Sequence, residues 1–182
     1  KVSNYIKFLV SEEGMLLGKE EEIFDELPHT IQVLLSSHLK EKFFYNCPFF
    51  DHIPDEVIRN LCMTMRQHIY NTGDYVTTHG DIGHEMFFIE SGVCEVVSWD
   101  KRTVLAKLQP GTFMGETSFF GLSDHANRWM NLENIRASSI CVCYVLKKRH
   151  FDHELLPFMD GMDAEKREQN LNSLRDSHCR RN

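Results

Sequence analysis

Apolar residues recur at helical spacing near both ends of the chain and at strand spacing between them. Tyr5, Ile6, Phe8 and Leu9 fit a short amphipathic helix that Ser11-Glu12-Glu13-Gly14 breaks. A second helix holds Glu20 to Leu27 and stops before Pro28, because a residue that precedes proline is pushed out of the helical region. Pro28 suits the first turn of a third helix, running through Ile31, Val33, Leu34, Leu35, His38 and Leu39. Pro48-Phe49-Phe50 ends this array. The stretch from Pro54 to Cys62 then reads as another amphipathic helix, with proline and acids at its N-terminus.

From His68 the period changes. His68–Tyr70, Tyr75–Thr78, Met86–Glu90, Cys94–Trp99, Val104–Leu108 and Ile140–Leu146 are rich in β-formers. Asn71-Thr72-Gly73-Asp74, Gly80-Asp81-Ile82-Gly83, Ser91-Gly92 and Gln109-Pro110-Gly111 punctuate them as turns. Short strands spaced this evenly predict a small antiparallel barrel or jelly roll. Helical spacing returns over Lys147–Leu156, where Pro157 is expected to end the helix, and again from Asp163 to Arg175. That last helix is polar, and its apolar residues Ala164, Leu171 and Leu174 form one narrow stripe. So sparse a face holds poorly unless something covers it. The expected class is therefore α+β: an antiparallel β-roll flanked by short helices, with a helical segment on either side.

Length and composition keep the count at one domain with a helical extension, since 182 residues at 42% hydrophobic content can bury one full core. The formal net charge of −7, with Lys and Arg scattered along the chain, argues against a nucleic-acid or anionic-lipid surface. An anionic ligand would have to be held locally. No apolar run approaches the ~20 residues that cross a bilayer, and the start lacks a signal-peptide pattern. The six cysteines (47, 62, 94, 141, 143 and 179) form no C-x-x-C pair, so they are expected to be reduced thiols in a cytosolic compartment.

Candidate chemistry centres on Phe113-Met114-Gly115-Glu116-Thr117-Ser118-Phe119. A glycine there lets backbone N–H groups approach an anion, and a neighbouring carboxylate can accept hydrogen bonds from sugar hydroxyls. Phosphate plus ribose is the ligand chemistry this suggests; a turn glycine beside a solvated carboxylate is the plain alternative. His150 and His153 lie three apart on a helix without a third metal ligand at useful spacing, which makes a charged helix face the better reading. Asp124-His125 with Ser118 or Ser123 lacks the nucleophile elbow of a hydrolase. Nothing in the sequence points to an enzyme.

Gly73-Asp74, Gly80-x-x-Gly83, Met86-Phe87-Phe88-Ile89-x-x-Gly92, Leu108-x-x-Gly111-x-x-Met114-Gly115-Glu116 and Ile135-Arg136-Ala137 together resemble the cyclic nucleotide-binding domain. Phe24-Asp25-Glu26-Leu27-Pro28, Ile31 to His38 and Cys47-Pro48-Phe49-Phe50 look like the C-terminal part of the helical C-linker of cyclic-nucleotide-gated and hyperpolarisation-activated channels. The resemblance implies a C-linker-like segment over residues 1–47 and a nucleotide-binding domain over 48–182, with its barrel at about 66–146 and C-terminal helices over 147–176. It also implies that Met114, Gly115, Thr117 and Ser118 form the phosphate cassette and that Glu116 takes the ribose 2′-hydroxyl. Leu171 and Leu174 would lie on a lid helix that folds over the purine. The ligand implied is cAMP or cGMP, with no other cofactor and no metal.

The family's phosphate arginine falls here on Asn131-Leu132, neither of which carries charge. Arg128, in a segment longer than the family's, is the candidate in its place; a solvated loop arginine is the alternative. Arg136 matches an arginine beyond the pocket. The resemblance implies a regulatory domain on the cytoplasmic face of a membrane, joined to a transmembrane part of the same polypeptide and assembling with copies of itself through the linker helices, without nucleic acid. Two other readings stand beside it: a degenerate domain that gates without nucleotide, and the regulatory domain of a sperm-type sodium/proton exchanger.

Overall fold

The computed structural model describes residues 24–51, 53–122 and 129–160, with side chains to residue 155. The helices expected near Tyr5 and over Asp163–Arg175 lie outside these residues. Helix α1 (His29–Tyr45) is followed by a 3-10 turn (Pro48–Phe50) and helix α2 (Asp55–Thr64). Eight strands come next: β1 (Arg66–Tyr70), β2 (Tyr75–Thr77), β3 (Glu85–Ser91), β4 (Cys94–Val97), β5 (Val104–Leu108), β6 (Phe113–Met114), β7 (Asn134–Ala137) and β8 (Cys141–Lys147). A one-turn helix α3 (Glu116–Phe120) separates β6 from β7, and α4 (Lys148–Asp160) follows β8 without a break.

The strands pair into two four-stranded sheets, ordered β1-β8-β3-β6 and β2-β7-β4-β5, and all the pairings are antiparallel. This is the expected α+β roll. β3 and β8 explain its layering, because each buries both faces. Met86, Phe88, Tyr144 and Leu146 join Phe43, Phe44, Ile58, Leu61, Phe119, Phe151 and Leu155 in a cluster on the helical side. The alternate residues Phe87, Ile89, Cys141, Cys143 and Val145 close over Cys94, Val96, Met114, Ile135 and Ala137 inside the roll. A strand with period-two side chains and two buried faces reads as a continuous apolar run, and these two do.

One expectation fails. Pro157 does not end α4, which continues to Asp160. Proline forfeits one backbone hydrogen bond and biases its predecessor away from helix, but that bias is not a stop, and here the following residues stay helical. The cysteines at 47, 62, 94, 141 and 143 are free and buried.

Candidate functional site

Gly115 turns the chain out of β6 and into α3. Its φ of +85° lies in the left-handed region, and a Cβ built there would stand 2.7 Å from the carbonyl oxygen of Glu85. Only glycine satisfies both conditions without strain. The turn places Gly115, Glu116, Thr117 and Ser118 on the wall of a small, solvent-open pocket, opposite Thr77 on β2 and Asn131, Leu132, Glu133 and Ile135 at the start of β7. Glu116 is only 5% exposed although it begins a helix on the roll's rim.

A polar clamp holds the two walls together. The Ser118 hydroxyl, 1% exposed, lies 2.8 Å from Oδ1 of Asn131 and 3.1 Å from the carbonyl of Gly115, and shares its proton between them. Asn131 is fixed in turn by its backbone: its N–H donates to Asp81 at 2.8 Å and its carbonyl accepts from Gly80 at 2.9 Å. Gly83 donates to the carbonyl of Trp129 at 2.8 Å. On the far side Thr77 Oγ1 donates to the carbonyl of Glu133 at 3.1 Å, and Asn134 Oδ1 accepts from the N–H of His79 at 3.0 Å. Thr77 and Asn131 also border a second, adjoining open pocket of about 240 Å³ lined by Asp81, Gly83, His84 and Glu85 among others.

The structure thus brings Gly115, Glu116, Thr117 and Ser118 to one wall. Met114 sits behind it, 3% exposed inside the roll and paired with Phe87. Arg128, Leu171 and Leu174 lie outside the described residues. Arg136 points away from the cavity and pairs with Glu95 at 3.1 Å. Among the described residues no group of His, Cys, Asp and Glu could hold a metal, and His150 Nε2 accepts from the Arg149 side chain. Thr77 and Glu133 do not stand out in the sequence as site residues, and Gly83 stands out only as a turn and motif glycine. Nothing local marks Thr77 or Glu133 for the site; their place follows from the pairing of β2 with β7, whose register shifts between Tyr75 and Thr77.

Residues 67–156, which carry this cradle and nearly all of both sheets, match the family model of the cyclic nucleotide-binding domain. This part of the chain belongs to that family. The cyclic nucleotide-binding domain is a regulatory fold, not an enzyme. The chain is 30% identical over 135 residues to human cyclic nucleotide-gated channel alpha-2, covering 71% of the chain and 19% of that protein. It is 25% identical over 145 residues to human cyclic nucleotide-gated channel alpha-3, covering 80% of the chain and 21% of the relative. A cyclic nucleotide-gated channel of Caenorhabditis elegans is 23% identical over 142 residues, covering 78% and 19%. The chain therefore spans about a fifth of the length of these relatives. Among the described residues no helix is long and apolar enough to cross a membrane.

Proposed function

We propose that the cradle binds a cyclic nucleotide, cAMP or cGMP, and that occupancy is passed through the flanking helices to a membrane-embedded channel in the same polypeptide. The observation that carries this reading is the left-handed turn at Gly115, which sets a buried carboxylate and the cassette backbone on one cavity wall. Glu116 takes the ribose 2′-hydroxyl, a charge-assisted bond in a partly dry site. Gly115, Thr117 and Ser118 receive the cyclic phosphate, with Met114 as the buried support behind them. Arg128 supplies the cation from its loop. Leu171 and Leu174 close over the purine, and α1 belongs to the linker that joins copies of the chain on the cytoplasmic face of the membrane. Ligand shifts this assembly only by its differential affinity for the closed arrangement.

Isothermal titration of the 182-residue chain with cAMP and with cGMP tests the reading. Saturable heat is expected, with a Kd weakened about tenfold or more in Glu116→Gln, the loss of one hydrogen bond to a charged group. No heat and no thermal shift at about millimolar ligand, where even weak sites fill, would overturn it.

One observation favours a second reading, a domain that gates without nucleotide. No Lys or Arg among the described residues lines the cradle, and the place that corresponds to the family's phosphate arginine holds Asn131, engaged with Ser118 and the Gly80–Asp81 backbone. An amide cannot replace a guanidinium that grips two phosphate oxygens. The same titration separates the two.

A further inference from the structure

The hairpin that joins β4 to β5 is built against the usual order of a soluble surface. Trp99 is 82% exposed, Leu105 65% and Val104 43%, all within one hairpin tip. The turn itself is firmly made. The Ser98 N–H donates to the carbonyl of Thr103 and the Lys101 N–H to that of Ser98, both at 2.8 Å, and Asp100 accepts from Ser98 Oγ and from the Arg102 N–H. The apolar residues are therefore displayed by an ordered tip.

Leu105 is turned outward by the ladder. β4 pairs Val96 with Ala106 and Val97 with Val104, so Leu105 is the extra residue of a bulge. Ala106 and Leu108 pack on the roll interior, and Lys107 reaches Glu95 on the outer face.

The charges of the tip select the occupant. Lys101 and Arg102 are exposed, the Lys101 ammonium lying 4.6 Å from the ring centre of Tyr75, while both acids of the hairpin are engaged by polar partners: Asp100 within the turn, and Glu95 by Arg136 and Lys107. From Cys94 to Leu108 the chain carries three cations and two acids, a local excess of one positive charge on a chain of net −7. Scatter along the sequence hid this concentration. β5 is the edge of its sheet, but a bulge and a lysine on an edge strand disrupt the regular ladder that another strand would extend. An indole, two aliphatic side chains and two cations on a rigid tip match an anionic lipid surface, where tryptophan seeks the headgroup boundary and Lys and Arg the phosphates.

We propose that the β4–β5 hairpin is a membrane-surface contact, in which Trp99, Val104 and Leu105 enter the interface of an anionic bilayer while Lys101 and Arg102 meet lipid phosphates. This goes beyond the nucleotide reading and is independent of it, since no residue of the tip lines the cradle.

The test is co-sedimentation of the whole 182-residue chain with phosphatidylcholine vesicles that do or do not contain about 30% phosphatidylserine. The chain is expected to pellet with the anionic vesicles alone, and to be released when salt rises from about 0.1 to about 0.5 M. In a Trp129→Phe chain, which leaves Trp99 as the sole indole, emission moves to the blue on binding. Trp99→Ser/Leu105→Ser and Lys101→Glu/Arg102→Glu each lower the bound fraction about fivefold or more. The melting midpoint of the first pair stays within the small range of surface substitutions. The second also gives up the contact of the Lys101 ammonium with the Tyr75 ring, 4.6 Å from its centre, and is compared at a temperature where its melting curve shows it folded. Failure of the unaltered chain to pellet with anionic vesicles overturns the proposal, as does equal binding by both double variants. Binding to a single-stranded RNA homopolymer without vesicle binding also overturns it and assigns the tip to nucleic acid.

Discussion

Gly83 shows at the scale of one residue how the cradle is closed. Its backbone needs no unusual dihedral, yet a Cβ placed there would lie 2.1 Å from Oγ of Ser118 and 2.3 Å from Oδ1 of Asn131. The Ser118–Asn131 hydrogen bond therefore runs through space that any other residue would fill. Gly83→Ala is expected to break that bond or push the Gly80–Gly83 loop off the rim, at about 1–3 kcal/mol, the range for overpacking a closed contact. Thermal denaturation reads it directly, and an unchanged midpoint would mean that the two walls part at no cost. Gly115 and Glu116 were legible in the sequence because their chemistry is adjacent along the chain. The Ser118–Asn131 clamp was not, since its partners lie 13 residues apart and Gly83 is brought to them only by the folded loop.

Among the elements, α1 departs most from its sequence pattern. Helical spacing identifies the helix but not its buried face: Leu34 is exposed, while Ser36, Ser37, Lys40, Phe43 and Phe44 are buried. Hydropathy picks a face by side-chain transfer energy, and Lys40 is buried for another reason. The residue is only 8% exposed, and its ammonium donates to the carbonyls of Cys62 at 2.8 Å and Met65 at 3.1 Å, at the C-terminal end of α2, and lies 5.4 Å from the ring centre of Tyr144 on β8. Helix ends leave carbonyls without partners, and a cation is the favoured cap there. One side chain thus ties α1 to α2 and the roll. Lys40→Met keeps most of the stem but strands two carbonyls, so it should lower stability by about 2–3 kcal/mol, with the slope against urea concentration unchanged. A midpoint equal to that of the parent chain would show that water replaces the ammonium. By contrast β3 and β8 were legible as long apolar runs, and β6 and α3 were not, because two and five residues carry no measurable period.

Among the described residues the thiols lie in both core clusters of the molecule, Cys62 on the helical side and Cys94 and Cys141 inside the roll. Burial pushes the Cys62 thiol up to about 12, only partly offset by Lys40, and pushes Cys141 up to about 11. Cys94 is raised by its hydrogen bond to Cys143 and by burial, and the Tyr70 phenol by burial. In the unfolded chain these thiols ionise near pH 8.5. A folded pKa above the unfolded one means that the native state keeps its proton when the unfolded state has lost it. The stabilisation is fully present below about pH 8.5 and is lost as pH rises through 11 to 12. Free energies of unfolding in urea should be flat from about pH 7 to 8.5, then fall by up to ~1.4 kcal/mol per pH unit for each thiol that titrates. β3 and β8 belong to both clusters, so loss of either core removes a wall of the other, and far-ultraviolet dichroism and the near-ultraviolet dichroism of the buried aromatic rings should report one coincident transition at every pH. Cys62→Ala should shallow the alkaline slope by one thiol's share. An unfolding free energy that holds constant to pH 11, or a slope untouched by Cys62→Ala, would show that the thiols meet solvent before the cores separate.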